Sequence, residues 1–336
     1  MSRRRLSTRQ RRHVDKLQAD RLARAQDKQS MLSEDELGPL GEEQEGLVVS
    51  RYGKTVDVEG SDGQVYRCQI RQHLHDLVCG DRVIWQAAPD GTGVVVAQVP
   101  RKSVLCRPDF QQRMKTIAAN IDQILIVCAT QPELSTGLID RYLVAAEATK
   151  ITPMIIVNKT DLLTPTQRAE VEAQLALYQN IGYRLIYTSV VARHGLDELI
   201  AQLKDHTSIF VGHSGVGKSS LVKALLPHQE IRIGELSEAT GKGTHTTTTA
   251  VLYHLDHGGD LIDSPGIREF GLWGISAEQV AEGFVEFRPF LPQCKFRNCQ
   301  HRQEPGCALR AAVESGEITR QRLDSYYRIV ESLTES

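Results

Sequence analysis

Residues 209–219 read Ile-Phe-Val-Gly-His-Ser-Gly-Val-Gly-Lys-Ser, and they run on into the helical spacing of Ser220–Leu225. Ile209–Val211 is a short apolar run of the kind that forms a buried strand. The stretch Gly212–Ser219 matches G-x-x-x-x-G-K-[ST] between a strand and a helix, the context the motif requires. Glycines let successive backbone N–H groups turn inward around anionic oxygens. The helix N-terminus adds partial positive charge. Lys218 brings a full positive charge to nucleotide β- and γ-phosphates, and Ser219 brings a hydroxyl to Mg²⁺. A glycine-rich turn that matched by chance would lack this flanking strand and helix. Candidate phosphate-site residues are therefore Gly212, His213, Ser214, Gly215, Val216, Gly217, Lys218, Ser219 and Ser220.

Working back along the chain, Asn158-Lys159-Thr160-Asp161 follows the apolar run Met154–Val157. In an α/β sheet the carboxyl end of a strand is where ligands bind. A carboxylate only accepts hydrogen bonds. Guanine offers Asp161 two donors, N1–H and the 2-amino group, whereas adenine offers none there and leaves a buried group unpaired. Asn158 suits the N7 side of the base, and the Lys159 stem suits its face. Thr188-Ser189-Val190, after Leu185–Tyr187, is placed to give the guanine O6 a backbone N–H.

Working forward, Asp263-Ser264-Pro265-Gly266 follows the apolar Leu261–Ile262. Asp263 is a Mg²⁺-directed carboxylate, and the Gly266 N–H can sense a γ-phosphate. The order is unusual, because the base motif precedes the phosphate loop. Domain termini lie at the surface and often close together, so circular permutation of such a domain is physically reasonable. Permutation has one consequence for connectivity. The segment after Gly266 runs through Arg268 to Trp273 into the C-terminal module, which makes it a route for signalling nucleotide state.

Around this centre the texture changes twice. Gly46–Ser50, Thr55–Val58, Val65–Ile70, Arg82–Gln86 and Gly93–Val99 are short β-type runs parted by turn residues. They predict a small barrel of either the oligonucleotide-binding or the SH3-like kind. From Ile121 apolar runs alternate with helical segments at Thr166–Asn180 and Leu196–Leu203, the signature of helices on a parallel sheet. Near the end, Cys294-x4-Cys299-x-His301-x5-Cys307 offers three thiolates and an imidazole among polar neighbours. Cys₃His is a closed structural zinc set with no position left for water. Cys68, Cys79, Cys106 and Cys128 sit among apolar neighbours and read as reduced core residues, consistent with a cytoplasmic protein. The chain closes with a charged helix predicted over Ile318–Leu333.

The 336 residues carry a net charge of −2, with 40% hydrophobic residues and mean hydropathy −0.30. No apolar run reaches the length of a membrane helix, and no apolar segment follows the basic start as a signal peptide would require. The charge is uneven. Arg3, Arg4, Arg5, Arg9, Arg11, Arg12, Lys16, Arg21, Arg24 and Lys28 face only Asp15, Asp20 and Asp27, and an acidic stretch follows over Ser33–Glu45. Such a basic arm is either a solvated tail or a binder of nucleic-acid phosphates. The expected organisation is a tail over 1–43, a barrel over 44–106, a permuted GTPase domain over 107–275 and a helical zinc-binding module over 276–336.

Barrel, permuted domain and Cys₃His module together resemble the ribosome small-subunit-dependent GTPase A family over about residues 44–330. The resemblance is carried by Asn158–Asp161, Gly212–Ser219, Gly243-Thr244-His245-Thr246-Thr247-Thr248, Asp263–Gly266 with Arg268-Glu269-Phe270, and Cys294/Cys299/His301/Cys307. It implies a multidomain fold with an oligonucleotide-binding barrel. It also implies a slow GTPase stimulated by the 30S subunit and acting late in that subunit's maturation. The implied partners are the 30S subunit with its 16S rRNA, GTP and GDP, with one structural zinc, Mg²⁺ accompanying the nucleotide, and a monomeric state.

Ile267 stands directly after Gly266, where many GTPases carry a water-orienting glutamine. An alkyl side chain cannot orient water. The resemblance points instead to His245, whose neutral imidazole can accept a hydrogen bond from water. Thr246 or Thr247 completes the Mg²⁺ shell with Ser219. Two other functions share these motifs: a metal-insertion GTPase, and an RNA-binding module that GTP merely stabilises. The closed ligand set argues against the first, and turnover with and without 30S subunits separates the second.

Overall fold

In the computed structural model the described residues are 40–71, 74, 76–108, 113–227, 250–264, 271–272 and 274–334. The basic arm, His245, Thr246, Thr247, Gly266, Ile267, Arg268, Glu269, Phe270 and Trp273 lie outside them. The chain forms two compact units.

The first unit is the barrel. Its strands are β1 (Glu43–Tyr52), β2 (Thr55–Gly60), β3 (Val65–Ile70), β4 (Arg82–Ala87) and β5 (Thr92–Gln98). They pair in the order β1-β2-β3-β5-β4, and β4 returns to β1 with Glu43 opposite Gln86 and Leu47 opposite Arg82. The step from β3 to a parallel β5, passing over β4, is a Greek-key connection. A closed five-stranded Greek-key barrel is the oligonucleotide-binding arrangement, so strand order decides what strand count left open. Inside it Trp85, Val48, Val56, Val58, Cys68, Val83 and Val95 pack together, and along β2 and β4 the buried residues alternate with half-buried ones,. The unit ends at Val99, short of the boundary expected after residue 106. The reason is a hairpin absent from the sequence reading: β6 (Val104–Pro108) pairs with β7 (Met114–Ala119) inside the second unit.

The second unit is an α/β layer structure. Strands β8 (Gln123–Ala129), β9 (Thr152–Asn158), β10 (Arg184–Tyr187), β11 (Thr207–Val211), β12 (Val251–His254) and β13 (Asp260–Asp263) lie in the order β10-β9-β8-β11-β13-β12. All neighbours are parallel except β12, which pairs antiparallel with β13. Near-continuous apolar runs such as Ile124–Val127 suit strands covered on both faces,. Helices α2 (Pro165–Ile181) and α3 (Leu196–Leu203) were expected from sequence, and α1 (Thr136–Thr149) was not. Helix α1 starts where Ser135 Oγ accepts from Leu138 N, and it buries Ile139, Leu143, Val144 and Ala146,.

The C-terminal helices α5 (Ala277–Gly283), α6 (Ala308–Glu314) and α7 (Arg320–Thr334) fall in this same unit. A buried ionic cluster joins α7 and the turn after α5 to α1 and α2. Arg322 on α7 and Asp140 on α1 are each 1% exposed. The Arg322 Nη1 donates to Asp140, and its Nε donates to Glu286 Oε1 at 2.6 Å. Tyr178 of α2 donates to the same Asp140 oxygen at 2.7 Å. The guanidinium also lies 4.4 Å from the Phe284 ring centre. Burial alone would lower the Arg322 pKa, but hydrogen bonding to Glu286 and the charges of Asp140 and Glu286 outweigh it and hold the side chain cationic,.

Of the four cysteines expected in the core, Cys68 and Cys79 are buried, whereas Cys106 and Cys128 are only half-buried. Cys128 donates to the Ile156 carbonyl at 3.4 Å, and burial raises its pKa to about 12. Among the described residues no helix is long and apolar enough to cross a membrane.

Candidate nucleotide site and metal centre

Sheet topology brings the distant motifs to one edge. Because β9, β10, β11 and β13 run parallel, the residues after each of them emerge at the same carboxyl end of the sheet. The chain proceeds from β8 outward to β9 and β10, then crosses to β11 on the other side of β8. That reversal is the topological switch point where doubly wound sheets bind ligands. The phosphate loop follows β11, the base motif ends β9, and Ser189 follows β10.

The phosphate loop wraps into α4 (Lys218–Leu225), with Gly217 as its N-cap at φ 94°. A side chain there would strike Asn158 Nδ2, and one at Gly212, at φ 139°, would strike the Val127 carbonyl. The two glycines are therefore required by backbone hand and by close approach. Lys218 Nζ donates to the Gly212 and His213 carbonyls at 2.6 and 2.7 Å, which draws the ammonium over the loop. His213, Ser214, Gly215, Ser219 and Ser220 are exposed, and Val216 is buried beneath them.

The base motif is stitched to that loop. Asn158, 2% exposed, donates through Nδ2 to the Val216 carbonyl at 3.0 Å. Its Oδ1 accepts from Thr188 Oγ1 at 3.1 Å. Lys159 adopts the left-handed conformation at φ 62°, which sends its stem across the site. Its ammonium reaches the Gln131 and Gly215 carbonyls at 2.8 and 2.6 Å. Thr160 is buried and bonds the Thr188 carbonyl through Oγ1 at 3.0 Å. Asp161 stays exposed, while one carboxylate oxygen accepts from Ser189 Oγ at 2.5 Å. That hydroxyl also receives the Ala192 N–H at 2.9 Å, so it is oriented before it orients Asp161.

Hydrogen bonding narrows which amide is available to a base. Thr188 N–H is taken by the Val157 carbonyl and Ser189 N–H by the His194 carbonyl. Within Thr188-Ser189-Val190, that leaves the Val190 N–H for an incoming acceptor. Asp263 is the last residue of β13 and leaves the sheet beside the phosphate loop, since Ile262 is opposite Ile209. The Thr188 hydroxyl that braces Asn158 was missed in the sequence, where nothing marked it beyond its place after a strand.

The second cluster is compact. The donor atoms of Cys294, Cys299, His301 and Cys307 all lie within 4.8 Å of one another. His301 Nδ1 is 3.6 Å from Cys294 Sγ and 3.5 Å from Cys307 Sγ. A tetrahedral zinc about 2.3 Å from sulfur and about 2.0 Å from nitrogen places those atoms about 3.5 Å apart, so the residues fit such an ion. His301 stands at φ 61°, which aims its ring inward, and Tyr327 donates to its carbonyl. Burial lowers the His301 pKa and so favours the neutral, ligating imidazole. Burial raises the Cys299 thiol to about 12, a shift that a bound cation would offset,. Glu304 gathers the loop by accepting from the N–H groups of Gln300, Arg302 and Gln303 at 2.9–3.0 Å.

Residues 98–273 match a family model described as RsgA GTPase. The chain is 53% identical over 341 residues, 100% of itself and 98% of the relative, to the small ribosomal subunit biogenesis GTPase RsgA of Hahella chejuensis. The chain belongs to the RsgA GTPase family. It is accordingly a GTP-hydrolysing enzyme. Two solved structures share its fold. One is YjeQ from Thermotoga maritima, 32% identical, covering 88% of this chain and all of that one, with TM-score 0.74. The other is YloQ, described as a circularly permuted GTPase, 30% identical, covering 89% and 96%, with TM-score 0.70. The permuted order of motifs read from the sequence is thus the order of a known fold.

Proposed function

We propose that this GTPase is a nucleotide-switched factor in late maturation of the 30S subunit, binding it through 16S rRNA. The observation that carries the reading is likeness along the whole chain to a protein named for small ribosomal subunit biogenesis. The oligonucleotide-binding order of the barrel strands supports an RNA partner,. The protein works in the cytoplasm as a monomer.

In this reading Asp161 holds guanine N1–H and the 2-amino group, with Ser189 steering its carboxylate. Asn158 braces the phosphate loop and meets N7, Lys159 covers the ring, and Thr160 ties the motif to β10. Residues Gly212 to Ser220 cradle the phosphates, and Lys218 neutralises them. Mg²⁺ is held by Ser219 with Thr246 or Thr247 and supported by Asp263, and Gly266 senses the γ-phosphate. His245 orients the attacking water. Bound Mg²⁺ supplies charge neutralisation at the leaving phosphates. Zinc on Cys294, Cys299, His301 and Cys307 is structural, and the closed ligand set supports that role over metal insertion.

Sedimentation with 30S subunits tests the switch. The full chain should pellet with subunits in a non-hydrolysable GTP analogue and be released in GDP. Equal retention in both nucleotides would point to an RNA-binding module that GTP only stabilises.

A further inference from the structure

Between the first two metal-ligand positions the chain forms a short exposed tongue, Lys295-Phe296-Arg297-Asn298. Phe296 at its centre is 40% exposed, one of few large apolar side chains so placed among the described residues. Single exposed apolar residues are ordinary on a protein surface. This one differs in its setting. The Lys295 ammonium lies 5.5 Å from the Phe296 ring centre. Arg297 follows it, exposed, and no described carboxylate pairs with either cation. The nearby acids are committed elsewhere: Glu304 to three backbone N–H groups and Glu331 to Arg302.

The tongue is also held in shape. Cys294 and Cys299, whose thiols converge with His301 and Cys307, bracket its two ends, Cys299 N–H donates to the Phe296 carbonyl at 3.2 Å, and Lys295 N–H donates to the Gly306 carbonyl at 3.1 Å. A side chain presented on a fixed loop loses little freedom when it binds. An exposed aromatic ring beside cations that no described carboxylate neutralises is the combination that recognises single-stranded nucleic acid, with stacking for a base on the open face and positive charge for its phosphates.

We infer that Phe296 is a stacking platform for an unpaired RNA base, with Lys295 and Arg297 contacting the adjoining phosphates. This rests on the reading that the partner is the 30S subunit, and it adds which surface of the C-terminal module meets the RNA and how. Stacking is sequence-tolerant, so the contact anchors the module without reading sequence.

The test uses the full-length, zinc-loaded protein and purified 30S subunits. Phe296→Ala should raise the subunit Kd by roughly five- to a hundredfold, the range expected for loss of one base stack. Phe296→Trp should restore binding, because it keeps the π face. Paired Lys295→Gln and Arg297→Gln changes should flatten the slope of log affinity against log salt by about 1.4, whereas Phe296→Ala should leave that slope alone. Metal content and 30S-independent GTP turnover should stay at wild-type levels in every variant. Ultraviolet cross-linking through residue 296 should label RNA. Wild-type affinity in Phe296→Ala, failure of Phe296→Trp to restore it, or cross-links to ribosomal protein alone would each overturn the inference. Failure of the wild-type protein itself to bind subunits would instead strike the functional reading.

Discussion

Two polar clusters in the α/β unit are built on opposite plans. At the sheet's carboxyl edge, Asn158 and Thr188 are buried while Asp161 stays open to solvent, braced on one oxygen only. In the joint between α7, α1 and α2, Arg322 and Asp140 are both sealed from water, and the one guanidinium bonds both Asp140 and Glu286. The first leaves acceptor capacity facing outward, as a ligand site must. The second satisfies its charges internally and presents nothing to a ligand. Full internal satisfaction makes a buried charge tolerable, and an open, oriented carboxylate makes a binding site.

Exchanging the carboxylate at the open cluster should have the largest effect. In the proposed base site Asp161→Asn keeps one acceptor and sets an amide N–H against the second guanine donor, and affinity for GTP should fall by about a thousandfold. That is somewhat below the roughly 10⁴–10⁵ seen where a hydrogen-bonding site meets an analogue lacking its partner. Xanthine nucleotide, whose O2 accepts from the new amide, should gain. Titration with both nucleotides checks this, and unchanged GTP affinity would remove Asp161 from the base site.

Breaking the closed cluster should act on stability instead. Arg322→Met leaves Asp140 buried without its cation and should cost about 3–5 kcal/mol. Urea unfolding monitored on the second unit reads that loss. A further Asp140→Leu change should restore part of it, since a buried pair replaced by apolar groups is often close to neutral. Nucleotide affinity should stay within about twofold. A nucleotide defect as large as the stability loss would mean that the two clusters are not separate.

Ser189→Ala sharpens the comparison at smaller scale. It removes the hydroxyl that steers Asp161 at 2.5 Å. GTP affinity should weaken about tenfold, near the 1.5 kcal/mol expected for a hydrogen bond to a charged group, with adenine nucleotides still excluded. Smallest of all should be Arg288→Gln. Its ion pair with Glu147 joins the same two regions as Arg322, but the arginine side chain is 48% exposed. Solvent screening limits such a pair to about 0–1 kcal/mol, so the melting temperature should move little.

The same contrast explains what could be read from the sequence. Asn158–Asp161 and Gly212–Ser219 were legible because each is a run of adjacent residues whose chemistry needs that spacing. Flanking strands at Met154–Val157 and Ile209–Val211 fixed their place in the fold. The cluster of Cys294, Cys299, His301 and Cys307 was legible for the same reason. The partnership of Arg322 with Asp140 spans 182 positions. Nothing local distinguishes it from the solvated charges of an amphipathic helix. Helix α1 was passed over because its buried face carries small residues such as Ala145 and Ala146 between its larger ones, and its cap, Ser135, lies in an unremarkable polar stretch. The barrel type waited on strand order, since the parallel β3–β5 pairing is a long-range choice that strand spacing does not encode.

In the proposed function the open cluster serves a switch whose hydrolysis is triggered by the small subunit. Single-turnover GTP hydrolysis, measured with and without 30S subunits on the wild type and on His245→Ala, tests it most directly. Turnover alone should be slow, of the order of the roughly 10⁻⁴ s⁻¹ known for unassisted Ras-type proteins. The 30S subunit should accelerate it strongly, and His245→Ala should lose that acceleration with GTP binding intact. Turnover that is indifferent to subunits, or an alanine variant still fully stimulated, would contradict it.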